Sequence, residues 1–344
     1  MAGVLDIRRR IRSVRNTRQI TRAMKMVSAA KLRRAQDRAM AARPYAQMLT
    51  NVLKSLVGRA EVYDPETGAP KHPLLERREE KNILLIVVTG DKGLAGAFNA
   101  NLLKAALRFI EIKAGKNIDI VAIGRKGRDF LRRRYPVVED PSERRGSIQI
   151  VGEHVGLLGK GDFAFANEVA QQVIDRYVNR EMDRVYLVFN EFKSVIAQRL
   201  VVETVLPIAE IGEQVVAHAE ELTTEQREQA AEAALKAGVS LEARDTTEID
   251  ERAKQFGAAQ VDYIYEQPPA ELFAALLPKY IAIQIYHSML ESWAAFNAAQ
   301  MTAMDSATNN ASEMIDFLTL AMNRARQASI TKEIIEIVSG AAAL

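Results

Sequence analysis

The chain has 344 residues, of which 48% are hydrophobic, and this is enough to bury the core of one or two domains. It contains no Cys, so disulfides, thiolate metal sites and cysteine nucleophiles are excluded. Its net charge of +3 is unevenly distributed, because the first 60 residues contain 15 Lys and Arg but only two acids, Asp6 and Asp37. A basic arm of this kind indicates a partner with negative potential, such as nucleic acid, an anionic membrane or an acidic protein surface.

Residues 1–60 are predicted to form one long helix. Gly is absent between Gly3 and Gly58, and the first Pro is Pro44. A seam of apolar and small residues with spacings of three and four follows the helical period. Its members are Ile7, Ile11, Val14, Thr17, Thr21, Met24, Ser28, Leu32, Ala35 and Ala39. A helix this long favours a coiled coil, since globular helices usually span about 8 to 20 residues.

Residues 80–207 are predicted to form a doubly wound, Rossmann-like α/β domain. NILLIVV (82–88) is a continuous apolar run, as expected for a strand that is buried on both faces. Further strands are predicted at 118–124, 184–192 and 198–207, the last two as a possible hairpin, and helical patterns separate the earlier strands. This order favours an open, largely parallel sheet with helices on its faces.

Residues 208–260 are predicted to be an acidic, partly helical insertion, and residues 270–344 a second long helix. The second helix contains two interleaved repeats of seven residues. They are Met304, Ala311, Leu318 and Ala325, and Thr308, Ile315, Met322 and Ser329. Because both terminal helices have a seam, we expect them to pair as an antiparallel coiled coil.

No pattern of catalytic or metal-binding residues stands out. TGDKGLAG (89–96) lies between a predicted strand and a helix, but it matches neither GxGxxG nor GxxxxGK[ST]. The four His are scattered without the spacing of metal ligands. A tight turn is therefore favoured over a nucleotide site. Two alternatives stay open, namely a nucleotide hydrolase that uses this turn and a nucleic-acid-binding coiled-coil protein that uses the basic helix.

Four stretches of the sequence carry a family resemblance. They are MAGVLDIRRRIRSVRNTRQITRAMKMVSAAKLRRAQ at the start, TGDKGLAGAFN and VDYIYEQPP in the interior, and ARQASITKEIIEIVSGAAAL at the end. The sequence resembles the gamma subunit of rotary F-type, proton-translocating ATP synthases of the bacterial type. The match covers both ends and most of the middle, which makes it highly specific.

The resemblance implies a central-stalk rotor that couples proton-driven rotation of the c ring to conformational cycling of the catalytic beta subunits. The implied partners are the alpha and beta subunits of the catalytic ring, the epsilon subunit and the c-subunit ring. The family implies no cofactor, no nucleic acid and no catalytic site on this chain. No apolar run approaches the roughly 20 residues that span a bilayer. The location that the resemblance implies is peripheral, on the cytoplasmic face of the bacterial plasma membrane.

The resemblance also implies a role for particular residues. Those that match positions touching the beta subunits are Met24, Lys25, Arg326, Gln327, Thr331, Glu333 and Glu336. Those that match an uncharged bearing tip, turning inside the ring, are Ile334, Val338, Gly340 and Leu344. Those that match a loop facing the c ring and epsilon are Tyr263, Tyr265 and Glu266.

The sequence departs from the family pattern at two places. Gln300 stands where many members have Arg, so the charged contact with beta implied at this position loses its basis. Residues 208–260 fall where photosynthetic gamma subunits carry a regulatory insertion. The thiol switch of the chloroplast version is excluded here, because the chain has no Cys.

Overall fold

A computed structural model describes residues 4–57, 64, 66, 70–141, 143–195, 198–208, 215–220 and 266–342. Long helices stand at both ends of this chain, α1 (Val4–Val57) and α5 (Pro269–Ala342). The elements between them are a 3-10 turn (Pro73–Leu75), β1 (Asn82–Val88), α2 (Phe98–Ile112), β2 (Asn117–Ile123), α3 (Arg125–Leu131), β3 (Ile148–His154), α4 (Phe163–Val178), β4 (Arg184–Phe192), β5 (Gln198–Leu206) and β6 (Val215–Glu220). The described chain is therefore an α/β domain flanked by two long helices.

The strands form one six-stranded sheet in the order β3-β2-β1-β4-β5-β6. β1 pairs in parallel with β2 and β4, and β2 pairs in parallel with β3, so α2, α3 and α4 lie in the connections between parallel strands. β4 and β5 form an antiparallel hairpin, and β6 adds to β5 in the antiparallel sense. The predicted doubly wound α/β fold is confirmed.

Alternate residues of β1 enter two separate hydrophobic cores. Leu84, Ile86 and Val88 pack in a core with α4, α5 and the last turns of α1. Leu85 and Val87 point to the other face, where they pack with α2 and α3. The continuous apolar run of β1 is thus explained, because both faces of the central strand are covered by helices.

The two terminal helices pack side by side in opposite directions. Ser28 contacts Gln300, and Arg18 contacts Ser312, so residue numbers fall along α5 as they rise along α1. At 1.5 Å per residue, α5 is roughly 110 Å long and α1 roughly 80 Å. If the pairing of Arg18 with Ser312 is extended along both helices, Val4 at the start of α1 lies opposite about residue 326 of α5. The predicted antiparallel coiled coil is confirmed, and the end of α5 extends beyond the described part of α1.

Strand β6 lies within the segment predicted as an acidic, partly helical insertion. Its residues Val215 and Val216 pair with Val202 and Val201 of β5. This strand was not predicted from the sequence, and it extends the sheet by one antiparallel member. The rest of the predicted insertion, including its predicted helix, lies outside the described residues apart from Ile208 at its start.

Candidate functional site

The seam of α1 follows a strict seven-residue repeat. Its buried and half-buried positions include Ile11, Arg18, Lys25, Leu32 and Ala39, and between them Val14, Thr21, Ser28 and Ala35. The prediction of Thr17 was wrong, since Thr17 is exposed and Arg18 takes its place. The aliphatic part of Arg18 can cover the seam while its guanidinium reaches the edge, where Nη1 donates to Ser312 Oγ at 3.4 Å.

The middle of the coiled coil is held by polar side chains. Lys25 of α1 forms an ion pair with Asp305 of α5, and both side chains are only 12% exposed. One turn away, the hydroxyl oxygens of Thr21 and Thr308 are 2.8 Å apart. Polar pairs inside an apolar seam fix the register of two helices, because a shifted register leaves them buried without partners.

Gln300 lies inside the molecule and joins three elements. Its Oε1 accepts a hydrogen bond from Ser28 Oγ of α1 at 2.9 Å, and its Nε2 donates to the Gly93 carbonyl at 3.2 Å. The residue is 7% exposed. The position that carries Arg in many family members is therefore used here to join α1, α5 and the glycine-rich turn.

An open groove of about 810 Å³ runs beside the polar part of the seam. Its charged lining consists of Arg18, Arg22, Lys25 and Arg33, against Asp305. We call this the basic groove. The excess of cations gives it a positive potential, which suits an acidic protein surface.

The projecting end of α5, residues 327–342, carries exposed apolar side chains on several sides. They are 45–72% exposed and comprise Ile330, Ile334, Ile335, Ile337 and Val338. Two of the predicted bearing residues, Ile334 and Val338, are in this group. Gly340 lies within α5, whereas Leu344 is outside the described residues.

The residues predicted to contact the beta subunits lie at two levels of the coiled coil. Arg326, just before the projecting end, and Gln327, Thr331, Glu333 and Glu336, within it, are all exposed. Met24 and Lys25 lie lower, beside Asp305, which is roughly 30 Å along α5 from Arg326. The Lys25 side chain is turned into its ion pair with Asp305, and Met24 is half-buried beside it.

Of the three residues predicted to face the c ring and epsilon, the structure describes Glu266. It is exposed and lies just before the start of α5, at the opposite end of that helix from the projecting end. Tyr263 and Tyr265 are outside the described residues.

A buried carboxylate that was not singled out from the sequence joins α1, α5 and β4. Glu291 of α5 is fully buried and accepts hydrogen bonds from Arg43 of α1. One turn earlier, Nε2 of His287 lies 3.4 Å from Glu291 Oε1, and burial lowers the pKa of this imidazole. The sequence signal that could have indicated this residue is that Glu291 is the one charged residue in the stretch SMLESWAAFNAAQM (288–301).

The glycine-rich turn after β1 is used for packing rather than for phosphate binding. The Gly90 N–H donates to Asn99 Oδ1 at 2.9 Å, and Asp91 Oδ1 accepts from the N–H groups of Arg125 and Gly156 at 3.0 and 2.9 Å. These bonds tie together the turns that follow β1, β2 and β3. The Gly90 N–H and the Asp91 carboxylate are thus already hydrogen-bonded within the protein.

Gly90 is needed because α5 passes very close to the turn. A Cβ at this position would lie 2.6 Å from Cδ2 of Phe296, which is buried. We expect Gly90→Ala to lower the free energy of unfolding by about 1–3 kcal/mol through overpacking. At Gly93 the nearest atom to an added Cβ is Cε of Lys126 at 3.6 Å, so Gly93→Ala is the matched control. Chemical denaturation of both variants tests this, and equal stabilities would contradict the close approach.

The described part of the chain offers neither a metal centre nor a membrane span. Within it, no group of three or more His, Asp or Glu side chains could hold a metal ion. None of its helices combines the length and the apolar character that a membrane crossing requires.

Comparisons with known proteins agree along the whole chain. The family described as ATP synthase matches residues 4–344. The ATP synthase gamma chain of Solibacter usitatus is 49% identical over 343 residues, which are 100% of this chain and 99% of that protein. The ATP synthase gamma chain of Desulforamulus reducens is 41% identical over 344 residues and covers 100% of both chains.

A solved structure agrees with the fold. A chain in the central stalk and c ring of the Tetrahymena thermophila mitochondrial ATP synthase is similar with a TM-score of 0.51. The match covers 84% of this chain and 99% of that chain, at 20% sequence identity.

Fold and comparisons together define the class of subunit in which a long two-helix coiled coil extends from an α/β domain. Its sequence relatives are gamma chains over their full length. The chain belongs to the ATP synthase gamma-chain family. As a gamma chain it is a subunit of the membrane-associated ATP synthase complex, and the prediction that it belongs to this complex is confirmed.

Proposed function

We propose that this subunit couples proton-driven rotation of the c ring to the conformational cycling of the catalytic beta subunits. The observation that carries the proposal is the projecting end of α5, where exposed apolar side chains lie roughly 90–100 Å from the base of the same helix. A single continuous helix can carry rotation from one end to the other. The proposed location is the cytoplasmic face of the bacterial plasma membrane, with the subunit held there by its partners.

The projecting end is proposed to turn inside the ring of alpha and beta subunits. Ile334 and Val338 offer weak, non-directional contacts that can be exchanged at each angle of rotation. Arg326, Gln327 and Glu333 are exposed and polar just below, so they can make contacts with beta that depend on the angle. Exposed apolar and polar side chains that alternate along the projecting end suit a rotor that turns inside a stationary sleeve.

A second level of contact with beta is proposed around Met24 and Lys25. The support is the basic groove beside these residues, in which Arg22 and Arg33 stand with Lys25. Because Lys25 is paired with Asp305, we propose that its part in this contact is to hold the groove in shape. The neighbouring arginines then provide the positive surface toward beta.

The base of the stalk is proposed to rest on the c ring and the epsilon subunit through Tyr263, Tyr265 and Glu266. Support comes from the place of Glu266, which is exposed at the opposite end of α5 from the bearing. The nucleotide-hydrolase and nucleic-acid-binding alternatives receive no support from the comparisons. The bonds within the glycine-rich turn also argue against a phosphate site there.

Site-specific cross-linking tests the proposed contact with beta. The natural chain has no Cys, so Gln327→Cys provides a single thiol on the exposed side of α5. With a photoreactive maleimide in the assembled complex, we expect this variant to form a product with beta. Glu111→Cys, exposed on α2, is the matched control and should form none. A Gln327→Cys product that lacks beta would contradict the placement.

A further inference from the structure

Glu291 occupies the point where α1, α5 and the end of β4 meet. Its side chain has no exposed surface. Oε1 accepts hydrogen bonds from Nε and Nη2 of Arg43 at 3.1 and 3.0 Å, and Oε2 accepts from the backbone N–H of Phe192 at 3.0 Å. Arg43 Nη2 also donates to the Phe192 carbonyl at 3.1 Å. One carboxylate and one guanidinium therefore connect both long helices to the sheet.

Two neighbouring hydrogen bonds continue this connection along one turn of α5. The Asn190 N–H donates to Ser292 Oγ at 3.3 Å. Nε2 of Gln198, the first residue of β5, donates to the Ala295 carbonyl at 3.1 Å. The end of β4 and the start of β5 are thus bonded to Glu291, Ser292 and Ala295 of α5, of which Glu291 is the charged member.

Besides the hydrogen bond from Gln300 to the Gly93 carbonyl, this part of α5 makes apolar contacts that involve small residues. Ala294, Ala295, Ala298 and Phe296 pack in a separate hydrophobic cluster with α1 and the glycine-rich turn. Apolar burial is non-directional, so it opposes separation of α5 from the domain better than it opposes turning of α5 about its own axis. Hydrogen bonds weaken steeply when their angles change, and those of Glu291 are also charge-assisted.

We propose that Glu291 is the positioning residue that locks the two-helix shaft to the α/β domain against twisting. Rotation that enters at the base and the α/β domain is then transmitted to the projecting end without slip. The fully buried carboxylate favours one geometry, because a twist that removes one of its donors leaves a buried charged oxygen with fewer partners. This inference rests on the rotary function proposed above and names a residue for it.

The test is Glu291→Gln in the complete complex, in inverted membrane vesicles. Gln keeps the volume but presents an NH₂ group to one of two donors, either the Arg43 guanidinium or the Phe192 N–H. We expect protons pumped per ATP hydrolysed to fall roughly three-fold or more, because the lock loses its charge. Hydrolysis without a proton gradient should stay close to that of the natural complex, since little load then acts on the lock.

Asp119→Asn is the matched control. Asp119 is also buried and accepts from Arg144 and Arg176 at 2.7 and 2.6 Å, but these three residues lie within the α/β domain. Asp119→Asn should lower thermal stability and leave the pumping ratio unchanged. An unchanged ratio in Glu291→Gln, or an equal loss in both variants, would overturn the proposal.

Arg43→Lys tests the same connection where Glu291→Gln does not assemble. Lys keeps the charge but cannot make the two-pronged contact of Arg with the carboxylate and the Phe192 carbonyl. We expect its pumping ratio to fall as well, and a normal ratio in an assembled Arg43→Lys complex would contradict the lock. Failure of the proposed function is distinguishable, because a complex with the natural chain would then show no coupled pumping at all.

Discussion

Replacement of Ile334 and Val338 together by Asp is expected to abolish most ATP-driven proton pumping while leaving the folding of the chain unchanged. Both side chains are exposed in the chain by itself, at 55% and 62%, so two carboxylates there remain hydrated. Inside the ring of alpha and beta subunits the same carboxylates lose water without gaining partners, which costs several kcal/mol. We expect pumping in membrane vesicles to fall roughly ten-fold or more for this reason.

Two comparisons sharpen this experiment. Ile112→Asp with Val178→Asp places the same charges on exposed apolar positions of the α/β domain, which are 70% and 43% exposed, and should leave pumping nearly normal. Removal of residues 340–344 should reduce pumping only modestly, because contacts of small apolar groups are weak and interchangeable. If the truncation abolished pumping and the double Asp variant did not, the bearing would be misplaced.

Asp305→Lys is expected to lower the free energy of unfolding by about 3–5 kcal/mol, since it leaves two ammonium groups in the buried part of the seam. Lys25→Asp should act in the same direction. The double variant Lys25→Asp with Asp305→Lys restores an ion pair of opposite orientation and should recover much of the loss. Chemical denaturation of the four chains forms a double-mutant cycle that isolates the coupling between the two residues.

The control for this cycle is the exposed ion pair of Asp6 and Arg9, whose side chains are 58% and 83% exposed. Asp6→Lys should change stability by at most about 1 kcal/mol, because water and salt screen exposed pairs. If Asp305→Lys were as mild as Asp6→Lys, the polar middle of the seam would not set the register of the helices.

The sheet and the two long helices could be predicted because their signals are local. A central strand that is buried on both faces has a continuous run of apolar residues, as in residues 82–88. A long helix is indicated by a long interval without Gly. The exact seam of α1 was harder. Thr17 and Arg18 both fit a spacing of three or four after Val14, and the more apolar choice was the wrong one. The heptad repeat from Ile11 to Arg18 and Lys25 decides between them.

The junction of helix and sheet could not be derived in the same way. Arg43 and Glu291 are 248 positions apart in sequence, and the sequence around each residue does not indicate that the two side chains pair. Strand β6 was missed for a related reason, because a six-residue strand on the edge of a sheet is defined by pairing with β5 rather than by its own pattern. The contacts with other subunits depend on surfaces that are not part of this chain, so they remain predictions.

The pairing of the first helix with the last one has a consequence for biosynthesis. α1 is made first, but Lys25 meets Asp305 only after some 280 further residues have been added. At about 5 to 20 residues per second, this interval is on the order of tens of seconds. During that time the nascent α1 has no partner for its seam. Thr21, Lys25 and Ser28 make the middle of this unpaired seam hydrophilic, and the arginines of α1 repel other copies of the chain. The polar residues that later set the register therefore also protect the unfinished chain from aggregation.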